Sequence, residues 1–325
     1  MNDVARRAGV SLKTVSRVVN GETTVDPALA TRVRAAVAEL GYRPNLGATM
    51  LRRSDWRTGT IGLLLTDAGD PFSAILHRAV EDEAHPRGVH VMTGSLDENP
   101  DRERELATAF ARRHTDGLIL APAAADQGYL SHELHPGTPV VFVDRPATGY
   151  RADTVVATNR SGAASATRHL IAHGHRRIAF LGAAPRIATA RSRRQGYRDA
   201  MREAGLPTCE AVDPGPRSPA VTTALLALAE PPTALLTTHH RITVGALRAL
   251  RHAGLHRRIA LVAFGDLPLA DLLEPAITVV AQDPAAMGRA AARALFERLD
   301  GHDGEPREIT IPTTLIPRGS GELTA

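Results

Sequence analysis

Apolar positions along this 325-residue chain change their period once, near residue 58. Before that point they recur at helical spacing. "DVARRAG" puts Val4, Ala5 and Ala8 on one face and stops at Gly9. Ser11 is placed to cap a second helix, Leu12 to Val19, which Asn20-Gly21 ends. Asp26-Pro27 then supplies a cap and a first-turn proline, and Leu29, Val33, Ala36, Val37 and Leu40 share the apolar face of a third helix closed by Gly41. Helix, tight glycine turn, helix and supporting helix predict an all-α helix-turn-helix headpiece. Asn45 is placed to cap one more short helix, Leu46 to Arg52, ahead of a polar linker around residues 54–59.

From Thr60 the apolar residues gather into short continuous runs: "TIGLLLT", "GVHVMTG", "DGLILAP", "TPVVFVD", "RIAFLG", "TALLTT" and "IALVAFG". Runs of this kind suit parallel strands buried on both faces, and helical stretches separate them. Repeated strand–helix units imply doubly wound α/β sheets, and there are enough strands for two. Ligands then bind beyond the carboxyl ends of the strands, at "TDAGDPF", "LDEN", "VDRP", "TTHH" and "FGDLP". No low-complexity segment or short-period repeat interrupts the pattern.

Charge sharpens the division. Residues 1–57 carry ten basic against five acidic side chains, and the remainder 29 against 30, so the net +4 comes entirely from the front. A basic segment on a near-neutral body is the electrostatic footprint of a nucleic-acid binder. Lys13 is the sole lysine, so the many arginines are a bias of composition. At 43% hydrophobic residues the chain can bury a sizeable core, yet no apolar run approaches the ~18–20 residues that cross a membrane. "MNDVARRAGV" has no signal-peptide pattern, which leads to an expected cytoplasmic, nucleoid-associated location. The single cysteine, Cys209, excludes an internal disulfide and is expected in a polar loop.

In a helix-turn-helix the second helix enters the major groove and offers its N-terminal side chains to base edges. With Val15, Val18 and Val19 inward, Leu12, Lys13, Ser16 and Arg17 face outward. Arg17 can form paired hydrogen bonds with a guanine, Lys13 can reach a base or phosphate, and Leu12 offers an apolar contact. Ser11, Thr14 and Ser16 suit phosphate oxygens.

These residues carry a resemblance. "DVARRAGVSLKTVSRVVNGE", "VRAAVAELGYRPN" and "ATMLRR" resemble the DNA-binding headpiece of the lactose-repressor (LacI/GalR) family. "IGLLLTDAGDPF", "TDGLILAP", "PVVFVDRP", "HLIAHGHRRIAFLG", "ARSRRQGYRDAMREAGL", "PPTALL", "GALRALRHAGL" and "AAARALFERLDG" continue it through nearly the whole chain in the family's order. The resemblance implies that Leu12, Lys13 and Arg17 occupy base-reading positions, and that Asn45 to Arg52 is a hinge helix. Ala48 and Leu51 would then stand in the minor groove, where an apolar wedge unstacks a base step and kinks the duplex. The family usually has a few residues, including a threonine, before "DVA". Either Asn2 caps the first helix in their place or the true start lies upstream.

For the body the resemblance implies the two-lobed fold of periplasmic binding proteins, with a small-molecule effector, a sugar or sugar derivative, in the cleft. The expected divisions are 1–44 for the headpiece, 45–58 for hinge and linker, and 59–325 for an effector-binding and dimerisation domain. Its first lobe would span about 59–156 and 283–315, its second about 157–282. Phe72 would be the apolar wall, and Asp144, Arg145, Arg193, Asp266 and Gln282 would meet polar groups of the effector; the planar fork of Arg193 suits a hydroxyl or carboxylate. Two departures stand out. The family's frequent Asn-Asp is His239-His240 here, and its Phe-Asp-Asp is Phe264-Gly265-Asp266. They leave two readings: an effector other than an ordinary neutral hexose, or weakened effector binding.

No nucleophile elbow, P-loop or His-Glu-x-x-His pattern appears, so no enzyme activity and no cofactor are expected. The pairs His169/His173 and His239/His240 each fall short of the three or four convergent ligands of a zinc site, so no metal is expected either. The sequence therefore points to a transcriptional regulator, expected to be a repressor. Its expected partners are double-stranded palindromic operator DNA, the effector and a second copy of the chain, with no membrane.

Overall fold

The structure, a computed structural model, describes residues 1–19, 22, 24–42, 57–212 and 219–325. Asn45, Ala48 and Leu51, and with them the expected hinge helix, lie outside the described residues. The chain divides into two compact units, Met1–Thr58 and Gly59–Ala325.

The first unit holds α1 (Asn2–Ala8), α2 (Leu12–Val19) and α3 (Pro27–Glu39). Ser11 caps α2 through its Oγ, which accepts the Thr14 N–H at 3.1 Å. Asp26 caps α3 by accepting from the Ala28 and Leu29 N–H groups. Val4, Ala8, Val15, Val18, Ala30, Val33 and Ala36 form the core. Leu40 is 45% exposed, off the apolar face expected for it, because α3 ends one residue earlier. Asn2 is the first helical residue and not the cap; Met1 holds that position and makes no side-chain capping bond.

The second unit is built on two six-stranded sheets. The first lobe contains β1 (Thr60–Leu65), α4 (Pro71–Ala84), β2 (His90–Ser95), α5 (Pro100–Arg112), β3 (Leu118–Leu120), α6 (Leu130–Glu133), β4 (Val140–Val143) and β5 (Asp153–Ala157). The second contains α7 (Asn159–Ala172), β6 (Ile178–Gly182), α8 (Ala188–Glu203), β7 (Cys209–Val212), α9 (Ala220–Leu226), β8 (Ala234–Thr237), α10 (His240–His252), β9 (Ala260–Phe264) and β10 (Thr278–Ala281). The chain then returns to the first lobe with α11 (Pro284–Leu299) and β11 (Glu308–Ile311), and crosses a third time to place β12 (Thr314–Ile316) in the second sheet.

The strand orders, β2-β1-β3-β4-β5-β11 and β7-β6-β8-β9-β10-β12, repeat one doubly wound scheme. All pairings in the first sheet are parallel, and in the second only β12 runs antiparallel, against β10. The assignment of residues 283–315 to the first lobe therefore ends too late, since Thr314 and Leu315 already pair with Ala281 and Val280. Cys209 does not lie in a loop: it opens the edge strand β7, and its N–H bonds to the Tyr197 hydroxyl at 2.8 Å.

Each lobe packs apolar side chains on both faces of its sheet, as continuous parallel runs require. One close helix crossing recurs in both. Gly288 of α11 passes over α4, where a Cβ would come within 2.5 Å of the Leu76 carbonyl oxygen, and Gly196 of α8 would bring one within 2.0 Å of the Arg160 carbonyl oxygen on α7. No helix among the described residues is long and apolar enough to cross a membrane.

Asp153 fastens the first lobe where the returning chain rejoins it. Its carboxylate is buried, accepts two hydrogen bonds from Arg298 at 2.9 Å each, and takes the Arg307 N–H at 2.7 Å. Burial raises the carboxyl pKa, but the hydrogen bonds of Arg298 and Arg307 outweigh it and hold the group below the ordinary range. A depressed carboxyl contributes stability above its unfolded pKa and loses it as pH falls. Asp153→Asn is expected to cost about 2–3 kcal/mol at neutral pH, less than a wholly buried broken pair because Arg307 reaches solvent. Urea unfolding across pH checks it: the parent loses stability below about pH 4, and the variant shows a shallower loss.

Candidate functional site

The recognition-helix candidates fall where the pattern put them. Leu12 and Lys13 are exposed, Thr14, Ser16 and Arg17 are half-buried, and Val15 and Val18 face the core. Three of these side chains have partners that the sequence did not announce. Ser11 Oγ and Thr14 Oγ1 share a hydrogen bond of 2.9 Å. Arg17 donates through Nε to Glu22 at 2.7 Å and through Nη2 to Thr24 at 2.8 Å. The arginine fork is thus held by its own unit. Because both members of the ion pair are 40–45% exposed, exchanging it for another acceptor costs at most about 1 kcal/mol.

In the second unit the carboxyl ends of β1, β4, β8, β9 and β10 open on one cavity between the lobes, of about 350 Å³. Phe72, Asp144, Arg145, Arg193, Asp266 and Gln282 all line it, together with Asp70, Thr189, His239, His240 and Phe264. A larger open depression of about 800 Å³ lies over α7 and α8, but most of the charged residues on those helices already pair, Arg160 with Asp199 and Arg168 with Glu203. The inter-lobe cavity holds the unspent polar groups.

Arg193, on α8, is 6% exposed. Its Nε donates to Asn159 Oδ1 at 2.7 Å, Nη1 to the Thr238 carbonyl at 2.6 Å, and Nη2 to Gln282 Oε1 at 3.3 Å. The guanidinium carbon lies 4.0 Å from the centre of the Phe264 ring, a cation–π contact. Burial lowers its pKa to about 10, so it stays charged at neutral pH. Gln282 spends its oxygen on this arginine and leaves its buried Nε2 donor without a protein partner.

Asp144 has φ +67°, in the left-handed region that costs a non-glycine residue energy and is tolerated best by Asp and Asn. Burial raises its carboxyl pKa, with Arg145 and Arg193 opposing. Arg145 forks onto Glu98 at 2.5 and 2.8 Å and onto the Pro122 carbonyl, and its buried Nε makes no hydrogen bond but lies 3.6 Å from Asp144 Oδ2. Asp266 reaches the cavity rim but is clasped by Arg318 at 2.6 and 2.8 Å. Arg145, Asp266 and Arg193 therefore bind first within the protein, and the Asp144 carboxylate and the Gln282 Nε2 donor are the groups least committed among those that line the cavity.

Sequence reasoning left out Asp70 and the histidines as site residues. Asp70 caps α4 from the first lobe, and His239 caps α10 from the second. Asp70 stands in "TDAGDPF", a strand end already marked as ligand-facing, so its position was the available signal. Beside them Arg241 pairs with Asp67 across the lobes. The His239 ring is 42% exposed, yet desolvation and the neighbouring His240 lower its pKa to about 4. At Gly265 the backbone has φ +88°, so the missing aspartate coincides with a conformation that favours glycine.

This arrangement of a helix-turn-helix unit and a two-lobed α/β body defines a class, the ligand-responsive transcriptional regulators. Comparison with known families fits it: the profile of "Bacterial regulatory proteins, lacI family" matches residues 1–45, and that of a "Periplasmic binding protein-like domain" matches 167–321. The chain is 31% identical to the ribose operon repressor of Escherichia coli K12, covering 98% of this chain and 99% of that one. It is 31% identical to the regulator GalS of Salmonella typhimurium, covering 93% and 90%. Among solved structures it resembles the regulator CelR in complex with cellobiose, at 30% identity, TM-score 0.70 and 98% coverage of both chains. It also shares the fold of the lac repressor dimer bound to operator, at TM-score 0.86 and 24% identity over 98% of both chains. The chain belongs to the lacI family of bacterial regulatory proteins. It is a transcriptional regulator and not an enzyme.

Arg193→Lys is expected to lower the stability of the second unit by about 2–3 kcal/mol, since one ammonium cannot satisfy three acceptors set for a planar fork. Calorimetric or urea unfolding checks the loss.

Proposed function

We propose that the chain is a repressor that grips a palindromic operator as a homodimer and releases it in response to a sugar or sugar derivative bound between the lobes. The observation that carries this reading is the inter-lobe cavity, in which a buried, charged guanidinium, a strained aspartate and an unpaired amide converge from both lobes. Sugar hydroxyls donate and accept, which suits Asp144 and the Gln282 amide, while Phe72 supplies an apolar wall. The ribose and cellobiose relatives support a carbohydrate effector.

On the DNA side Leu12, Lys13 and Arg17 read bases, Ser11, Thr14 and Ser16 touch phosphates, and residues 45–58 act as hinge and linker. There Asn45, Ala48 and Leu51 meet the DNA, Ala48 and Leu51 in the minor groove. The headpiece is residues 1–44 and the effector-binding and dimerisation domain residues 59–325, which work in the cytoplasm at the nucleoid. Effector binding changes lobe orientation and so operator affinity, and by linkage the operator changes effector affinity by the same factor.

Genome-wide recovery of bound DNA identifies the operator, and two variants then test the reading. Arg17→Ala is expected to lose about 1–3 kcal/mol on the cognate operator and to relax the preference at one base pair. A uniform loss on every DNA sequence would make Arg17 a phosphate contact instead. Arg193→Lys is expected to keep operator binding and lose the effector response, measured as release of labelled operator; a retained response removes Arg193 from the effector site.

A further inference from the structure

Asp70, 7% exposed, has no arginine or lysine within ion-pair distance among the described residues. Its Oδ1 accepts the Phe72 N–H at 3.0 Å and closes the first turn of α4. Its Oδ2 faces two imidazoles of the other lobe, His240 Nδ1 at 3.3 Å and His239 Nε2 at 3.6 Å. One ligand atom from each of the three residues lies within 4.8 Å of the others. A tetrahedral zinc ion with bonds of about 2.0–2.1 Å sets its ligand atoms about 3.3–3.4 Å apart. Two edges of that tetrahedron are thus nearly in place before any ion arrives.

We infer that Asp70, His239 and His240 form a divalent metal site of the zinc class, joining the two lobes and leaving a fourth position open to the cavity. The donor set fits, since two imidazoles and a carboxylate suit zinc and its first-row neighbours better than calcium or magnesium. An open fourth position is the arrangement of a zinc that also binds a ligand. The surrounding charge is mixed: Arg193 opposes a cation, and Asp144 offsets it. Ligation through His239 Nε2 puts the ring proton on Nδ1 and gives up the long, 3.3 Å hydrogen bond that Nδ1 accepts from the Arg241 N–H.

The inference departs from the expectation of no metal. Each histidine pair was counted alone, whereas the third ligand comes from the opposite lobe. The other pair, His169 and His173, differs in this respect, because His169 Nε2 bonds to Glu322 and His173 Nδ1 to the His169 carbonyl. An ion between Asp70 and the histidines ties α4 to α10 and favours the lobe arrangement seen here. The inference stands apart from the sugar reading, since the ion needs no effector.

The test titrates tag-free, chelator-treated full-length protein, without sugar, with Zn²⁺ and separately with Co²⁺. The expected result is one tight ion per chain, visible absorption bands of four-coordinate cobalt, and a higher melting temperature. His240→Gln and Asp70→Asn should each weaken zinc binding by more than the about 10–100-fold that losing an outer-shell partner costs. His173→Ala should leave it unchanged, and circular dichroism shows whether each variant is folded. Should Asp70→Asn fail to fold, His239→Ala takes its place. Equal zinc affinity in the parent, His239→Ala and His240→Gln overturns the site, as does loss of binding in His173→Ala.

Discussion

The effector domain is organised around the buried positive charge of Arg193. A guanidinium cannot shed its proton at neutral pH, so Arg193 is tolerable in the interior only where every side of the fork meets an acceptor. Its three partners sit at the start of α7, the end of β8 and the end of β10. Two of these, Asn159 and Gln282, adjoin the first and second crossovers between lobes. The side chain that lines the cavity is thus the one that fixes where the chain enters and leaves the second lobe. Asp144, from the first lobe, answers with opposite charge, and burial sets the pKa shifts of both. A ligand that changes either group disturbs the connection between lobes directly.

Legibility in the sequence followed the locality of the interactions. The three headpiece helices depend on caps and periodicity within a few residues, and Ser11, Asp26 and the inward valines were readable for that reason. Central strands such as β1, β4, β6 and β9 announce themselves because both faces are buried. The edge strand β7 is half exposed and polar in part, and a run so composed reads as a loop. The third crossover was invisible because only two residues separate β11 from β12, and nothing in composition marks a change of sheet.

The cavity was legible as a set of residues and not as a set of bonds. All six expected effector residues line it, since family resemblance fixes which strand ends converge. Which of them are already committed depends on Glu98 and Arg318, whose meeting with Arg145 and Asp266 is a matter of tertiary geometry alone. Gly265 shows the same limit from the other side. Read as a letter it is a missing carboxylate; read as a backbone angle it is a residue suited to φ +88°. The departure from the family's carboxylate and a backbone angle suited to glycine thus fall at one position.

The small headpiece core bears on how the two units can communicate. Seven buried residues from α1, α2 and α3 hold it, all of them alanine or valine. A unit of this size is marginally stable, and its single recognition helix offers few base contacts. Affinity in a dimer then comes largely from holding two headpieces at one duplex, where linking two modules multiplies binding by about 10²–10⁴. A coupling of about 1–3 kcal/mol, typical of allosteric effectors, is small against the stability of a whole lobe yet enough to change operator affinity 5–150-fold. The effector therefore need not unfold or distort either headpiece. Shifting the balance between lobe arrangements is sufficient if only one of them lets both recognition helices engage at once.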